Sequence, residues 1–122
     1  MTDALREGKD SVNPSDLLTL ISKGVPPVII DVRSPEEFEA GHVPGARNYP
    51  FWTIAVRASE FSELREEPII LYCGFGPRAT ASALALMMRG FRHVRCLSGH
   101  WDGWAAAGLP HETGLVNEPT SD

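Results

Sequence analysis

The sequence predicts an α/β domain in which helices cover both faces of a parallel sheet. Apolar, β-branched runs at residues 28–32 and 68–72 show no polar alternation, which is typical of strands buried on both faces. These runs alternate with helical segments, a pattern that favours parallel strands joined by crossover helices. The length of 122 residues and the 43% apolar content fit one soluble domain with a hydrophobic core.

Capping signals mark the first two predicted helices. Asn13 precedes Pro14, so the side chain of Asn13 can cap a helix whose first residue is proline. Ser34 and Glu37 have the spacing of a capping box around Pro35. The first helix is expected to end at Gly24 and the second at Ala40, before Gly41.

The second half of the chain continues the alternation. The predicted elements are strand 47–49, helical pieces within 51–64, strand 68–72, helix 78–88, strand 93–97 and helix 101–107. The domain is predicted to span residues 12–111. A flexible N-terminal arm, residues 1–11, is expected before it, and a polar C-terminal tail, residues 112–122, after it.

Composition excludes several functional classes. The net charge of −5 argues against nucleic acid as a partner. No apolar run is long enough to cross a membrane, and the first residues lack the pattern of a signal peptide. The two cysteines contain no CxxC pair and are too few for a disulfide scaffold. We therefore expect a cytoplasmic protein with an available thiol and no metal or organic cofactor.

Polar and nucleophilic residues collect where the predicted strands end. Asp31 lies at the end of one strand, Cys73 follows the next, and residues 98–100 follow the third. In open parallel sheets, ligands bind at the carboxyl ends of the strands. The sequence therefore predicts a functional site at this edge.

The segment that begins at Cys73 has the features of an anion-binding loop. Two glycines, Gly74 and Gly76, allow the backbone to curl so that successive N–H groups point inward. The helix that starts near Arg78 adds the partial positive charge of its N-terminus. Such surroundings stabilise a thiolate. The competing interpretation is that Cys73 is a small, buried apolar residue.

Three motifs resemble those of the single-domain rhodanese family, and the resemblance covers residues 12–111. They are DVRSPEEFEAGHVPGARN at residues 31–48, CGFGPRA at residues 73–79 and LSGHWDGWAAAGLP at residues 97–110. The resemblance implies a rhodanese-like three-layer sandwich, with a five-stranded parallel sheet and helices on both faces.

The resemblance also implies a reaction, in which Cys73 carries a persulfide. A small donor such as thiosulfate would supply the sulfur. Cyanide, a thiol or a sulfur-accepting protein would remove it.

The implied anion-binding loop contains Gly74, Phe75, Gly76, Pro77, Arg78 and Ala79. Four residues separate Cys73 from Arg78, and related dual-specificity phosphatases have one more. Phosphatase and arsenate reductase activities are therefore disfavoured, and a non-catalytic binding or regulatory module is the main alternative.

Several neighbouring residues have two possible roles. Asp31 and Arg33 match the family's DxR signature and either orient the catalytic loop or form a structural ion pair. Arg78 either contacts the donor or pins the loop through a carboxylate. His100 replaces a glycine that is usual in the family, and we expect it to face solvent. Cys96 is expected to be an inert sheet residue rather than a resolving thiol.

Overall fold

The computed structural model describes residues 11–114. Its strands are β1 (Ser11–Val12), β2 (Val28–Asp31), β3 (Arg47–Asn48), β4 (Ile69–Tyr72) and β5 (Val94–Leu97). Its α-helices are α1 (Pro14–Ser22), α2 (Pro35–Ala40), α3 (Ile54–Arg57), α4 (Pro77–Met87) and α5 (His100–Ala106). Two 3₁₀ segments, Phe51–Thr53 and Ala58–Leu64, flank α3.

The five strands form one parallel sheet in the order β1-β5-β4-β2-β3. The predicted α/β class and the five-stranded parallel sheet are therefore confirmed. Central β4 pairs with β2 on one side and with β5 on the other. Because all strands run the same way, their carboxyl ends meet at one edge, where Cys73 directly follows β4.

Side-chain alternation along β4 divides the core into two layers. Ile70 and Tyr72 pack with residues of α1, α2 and α5. Leu71 and Cys73 face the opposite side and pack with residues of α3, α4 and the second 3₁₀ segment. This alternation follows from the two-residue period of a strand. It produces the predicted sandwich with helices on both faces.

The predicted starts of the first two helices are confirmed in detail, whereas the helices predicted to begin at Arg78 and Trp101 each begin one residue earlier, at Pro77 and His100. The Asn13 side chain accepts a hydrogen bond from the backbone N–H of Ser15 at 2.8 Å. Ser34 and Glu37 form a reciprocal capping box. Both caps satisfy N–H groups that a helix leaves without intrahelical partners. The capping box fixes the start of α2, and Glu37 of this helix also contacts Arg78, which follows the Cys73 loop, at 3.0 Å.

Both ends of the described segment contribute to the fold. Ser11, predicted to belong to the arm, pairs with Cys96 as part of β1. Glu112, predicted to begin the polar tail, forms an antiparallel bridge with His42. The rest of the predicted arm, residues 1–10, and of the tail, residues 115–122, lies outside the described residues. Within residues 11–114, no helix is long and apolar enough to cross a membrane.

Candidate active site

Two backbone amides donate hydrogen bonds to the sulfur of Cys73. Cys73 is buried at the carboxyl end of β4. Its Sγ accepts hydrogen bonds from the backbone N–H groups of Gly76 at 3.0 Å and Ala79 at 3.4 Å. Gly76 has φ of 148°, a conformation that disfavours other residues. The geometry thus has the inward-pointing amides expected of the loop.

Helix α5 holds this loop from the other side. The N–H of Trp101 donates to the carbonyl of Cys73 at 2.9 Å, and the N–H of Asp102 donates to the carbonyl of Gly74 at 3.0 Å. Amides in the first turn of a helix have no intrahelical acceptor. In this structure they bind the loop, so the motif at residues 97–110 fixes the position of the motif at residues 73–79.

The expectation that His100 faces solvent is wrong. Its Nδ1 lies 3.2 Å from the backbone N of Cys73 and 4.0 Å from Cys73 Sγ. The edge of the ring lies against Gly76, with Nε2 3.7 Å from the point where a Cβ on that glycine would be. His100 has φ of 53°, and this left-handed backbone turns its side chain toward the loop.

The surroundings of Cys73 favour its ionised form. Burial alone raises the pKa of the thiol. Hydrogen bonds from His100 and from the amides of Ala79 and Gly76 outweigh burial and lower the pKa to about 7, from an ordinary value of 9.0. A substantial fraction of Cys73 is therefore thiolate at neutral pH, which is the nucleophilic form.

Arg78 points toward a carboxylate on α2. Its Nη1 lies 3.0 Å from Oε1 of Glu37, and its Nη2 lies 3.4 Å from Oε2. This geometry agrees with the role of pinning the loop. Glu37 therefore has two partners, because it also belongs to the capping box of α2. The hydrogen bond from Arg78 lowers the pKa of Glu37 to about 2, although partial burial opposes this shift.

A double-mutant cycle with Arg78→Met and Glu37→Gln should measure this contact. The side chains of Arg78 and Glu37 are 28% and 42% exposed, so we expect a coupling free energy of about 0.5–1 kcal/mol at pH 7. Because the pKa of Glu37 is lower in the folded state than in the unfolded state, its ionised form stabilises the fold at pH values above the ordinary pKa of 4.5. This stabilisation is lost as pH falls toward about 2. Urea unfolding at pH 7 and pH 2.5 provides the measurement. An equal coupling free energy at pH 7 and pH 2.5 would contradict an ion pair between Arg78 and Glu37.

Asp31 and Arg33 form a buried ion pair. Arg33 Nη2 lies 2.8 Å from Asp31 Oδ2, and both side chains are almost fully buried. The same Nη2 donates to the carbonyl of Gly41 at 2.6 Å. The guanidinium also lies 4.9 Å from the ring centroid of Trp101, a cation–π distance. The pair therefore joins β2, the end of α2 and the start of α5.

The remaining predicted residues have simple positions. Phe75 projects from the loop and is 72% exposed. Pro77 is the first residue of α4. Cys96 lies within β5, next to Leu71 of β4 and Ser11 of β1. Cys73 and Cys96 do not form a disulfide. Over residues 11–114, no group of three His, Cys, Asp or Glu residues could hold a metal ion.

These features first define a class: a three-layer α/β domain with a cysteine held by backbone amides at the end of its central strand. The protein-family model described as Rhodanese-like domain matches residues 13–107 of this chain. The chain belongs to this family.

Relatives and structures agree with this assignment. A sulfurtransferase from Allochromatium vinosum is 34% identical over 83 residues, covering 68% of this chain and 76% of that protein. Thiosulfate sulfurtransferase GlpE from Pseudoalteromonas translucida is 34% identical over 82 residues, covering 66% and 74%. The solution NMR structure of the rhodanese-like domain of Alr3790 from Anabaena sp. has a TM-score of 0.77 at 27% identity, covering 93% of this chain and 87% of that one. In two other relatives the matched stretch covers less than two thirds of the protein, 59% of one and 49% of the other.

Proposed function

We propose that this protein is a sulfurtransferase that carries a sulfane sulfur on Cys73. The observation that carries the proposal is the pair of hydrogen bonds from Gly76 and Ala79 to Cys73 Sγ. Amides preorganised around a sulfur favour an anion there. Both the thiolate and the persulfide that replaces it are anions. The names of the two relatives support the same reaction class.

With thiosulfate as donor, the first step is nucleophilic substitution at the outer sulfur. An electron pair of the Cys73 thiolate forms a new S–S bond. The bond between the two sulfur atoms of thiosulfate breaks, and its electron pair leaves with sulfite. One anionic nucleophile and one dianionic donor become an anionic persulfide and dianionic sulfite, so charge and atoms balance. The lowered pKa of Cys73 supplies the nucleophile at neutral pH.

The second step returns the enzyme to its starting form. Cyanide, or a thiolate on a small molecule or protein, attacks the outer sulfur of the persulfide. The S–S bond breaks, and its electron pair returns to Cys73 Sγ as a thiolate. The lowered thiol pKa makes Cys73 a good leaving group in this step. Because the two substrates react in sequence at one sulfur, ping-pong kinetics are expected. The proposed partners are the donor and the acceptor, with a sulfur-accepting protein among the acceptors.

Arg78 and the Asp31–Arg33 pair are proposed to position this loop. Arg78 is engaged by Glu37 at 3.0 Å, which supports a positioning role. Arg33 stacks over Trp101, whose N–H binds the carbonyl of Cys73. The proposed anion-binding groups are the backbone N–H groups of the loop from Gly74 to Ala79, in which Pro77 has none to donate.

Intact-mass spectrometry tests the reaction. Incubation of the reduced protein with thiosulfate is expected to add one sulfur atom, about 32 Da, since the persulfide is covalent. Cyanide or dithiothreitol should then remove the added mass. Protein alkylated at Cys73 beforehand is the control and should gain no sulfur.

Failure to gain mass from thiosulfate or from a small persulfide donor would contradict the proposal. The non-catalytic module would then be favoured. Hydrolysis of a phosphate monoester without any sulfur adduct would instead indicate phosphatase chemistry. Sulfur gained at Cys96 rather than Cys73 would reject the assignment of the site.

A further inference from the structure

His100 contacts the reacting sulfur in addition to the backbone of the loop. Its Nδ1 lies 3.2 Å from Cys73 N and 4.0 Å from Cys73 Sγ. Sulfur is large enough for a weak hydrogen bond at the longer distance. The ring is partly buried and flanks Gly76, whose amide binds the same sulfur. The imidazole therefore belongs to the group of atoms that surrounds Sγ.

The backbone conformation at this position favours glycine over histidine, although histidine tolerates positive φ better than most residues. Among residues 11–114, His100 is the single non-glycine residue with positive φ, at 53°. A residue with a Cβ is strained in this region, whereas glycine is not. Strained conformations concentrate at functional sites. Here the strained residue directs a titratable ring at the candidate nucleophile.

The two contacts of Nδ1 require different protonation states. When Nδ1 carries a lone pair, it can accept the N–H of Cys73 or the S–H of the Cys73 thiol. When Nδ1 carries a hydrogen, it can donate to the Cys73 thiolate and can no longer accept the amide. The hydrogen bond at 3.2 Å indicates the neutral ring with its hydrogen on Nε2. Ionisation of Cys73 would turn Nδ1 into a donor to sulfur.

We propose that His100 exchanges the thiol proton with Cys73, an inference that rests on the proposed function. The S–H bond of Cys73 breaks and leaves its electron pair on sulfur, while the proton bonds to the lone pair of Nδ1. The products are a thiolate and an imidazolium, so the pair remains neutral overall. The imidazolium then faces the thiolate and, after sulfur transfer, the anionic persulfide. The proton returns to Sγ when the free thiol forms again.

The charged groups around this pair are largely compensated. Arg78 of α4 is bound to Glu37 of α2, and Arg33 is bound to Asp31 at the end of β2. Asp102 lies exposed two residues after His100. The hydrogen bond and charge of His100 are among the causes that lower the pKa of Cys73. His100 is the side chain that lowers the pKa of Cys73 most, so its removal should change the thiol pKa most.

The rate of alkylation by iodoacetamide as a function of pH tests this proposal. The wild-type thiol should titrate near the pKa of about 7. His100→Gly should raise that pKa by about one unit, which lowers alkylation at pH 7 about fivefold. Glycine suits the positive φ, so this variant should be at least as stable as wild type in thermal unfolding. His100→Asn, which tolerates the same backbone and does not titrate, should give a similar shift.

His93→Gln is the matched control. His93 lies just before β5, at the opposite end of that strand from His100, and contacts Glu66. This variant should leave the alkylation profile unchanged. Equal profiles for wild type, His100→Gly and His100→Asn would overturn the proposal. A shift of similar size in His93→Gln would also overturn it.

The pH profile of thiol alkylation does not require sulfur transfer, so this inference and the proposed function can fail separately.

Discussion

Cys73→Ser is expected to lower sulfur transfer from thiosulfate to cyanide by at least about 10³-fold. The serine hydroxyl stays protonated at neutral pH and cannot form a persulfide. The amides of Gly76 and Ala79 would still surround the position, so anion binding alone should survive. Steady-state rates of thiocyanate formation, with circular dichroism to confirm folding, provide the measurement.

Cys96→Ala is the matched control for this prediction. Cys96 lies within β5, in register with Leu71 of β4, and has no place in the proposed reaction. We expect it to retain activity within about twofold, because the catalytic loop stays intact. Full activity in Cys73→Ser would reject Cys73 as the nucleophile. Loss of activity in Cys96→Ala, with folding preserved, would show that both thiols are needed.

Arg33→Leu is expected to lower the free energy of unfolding by about 3–5 kcal/mol. The substitution leaves the Asp31 carboxylate buried without its charged partner. It also removes the hydrogen bond to the Gly41 carbonyl and the stacking over Trp101. This loss is a large part of the about 5–15 kcal/mol that stabilises a typical domain. Urea unfolding at pH 7 gives the value.

The ion pair between Arg57 and Glu60 lies on the surface and serves as a control that separates the effect of burial from the effect of charge. Arg57 binds Glu60 and lies 4.5 Å from the ring centroid of Tyr49, but both charged side chains are exposed. Arg57→Leu should therefore cost less than about 1 kcal/mol. Arg33→Lys keeps the charge and loses the planar fork, so its loss should lie between those of the two leucine variants. If Arg33→Leu and Arg57→Leu lowered the free energy of unfolding by similar amounts, the buried Asp31–Arg33 pair would not stabilise the fold more than a surface pair does, which would contradict this prediction.

Local signals made most of the fold predictable. Each cap and each glycine stop acts over a few residues, so Asn13 and Ser34 identify helix starts without knowledge of distant contacts. The apolar run before Cys73 likewise indicates a buried strand. Strand β1 escaped prediction because its two residues, Ser11 and Val12, are too few to show a period. Its pairing with Cys96 and Leu97 depends on the assembled sheet.

Contacts between residues that are far apart in the sequence decided the details of the site. Arg78 and Glu37 are 41 residues apart, and local spacing cannot show that a capping residue is also the partner of an arginine. The sequence does show that Gly99 and His100 follow a strand near the predicted site. It does not show that the positive φ of His100 directs the ring toward Cys73.

The sequence by itself determined the parallel α/β class, the helix caps and the position of Cys73 at the start of a glycine-bearing loop. These features depend on local periodicity, on backbone freedom and on residue type. Only the tertiary structure decided which groups surround the sulfur and which carboxylate binds each arginine. Those choices depend on the relative positions of β4, α2 and α5, which are set by packing between segments far apart in the chain.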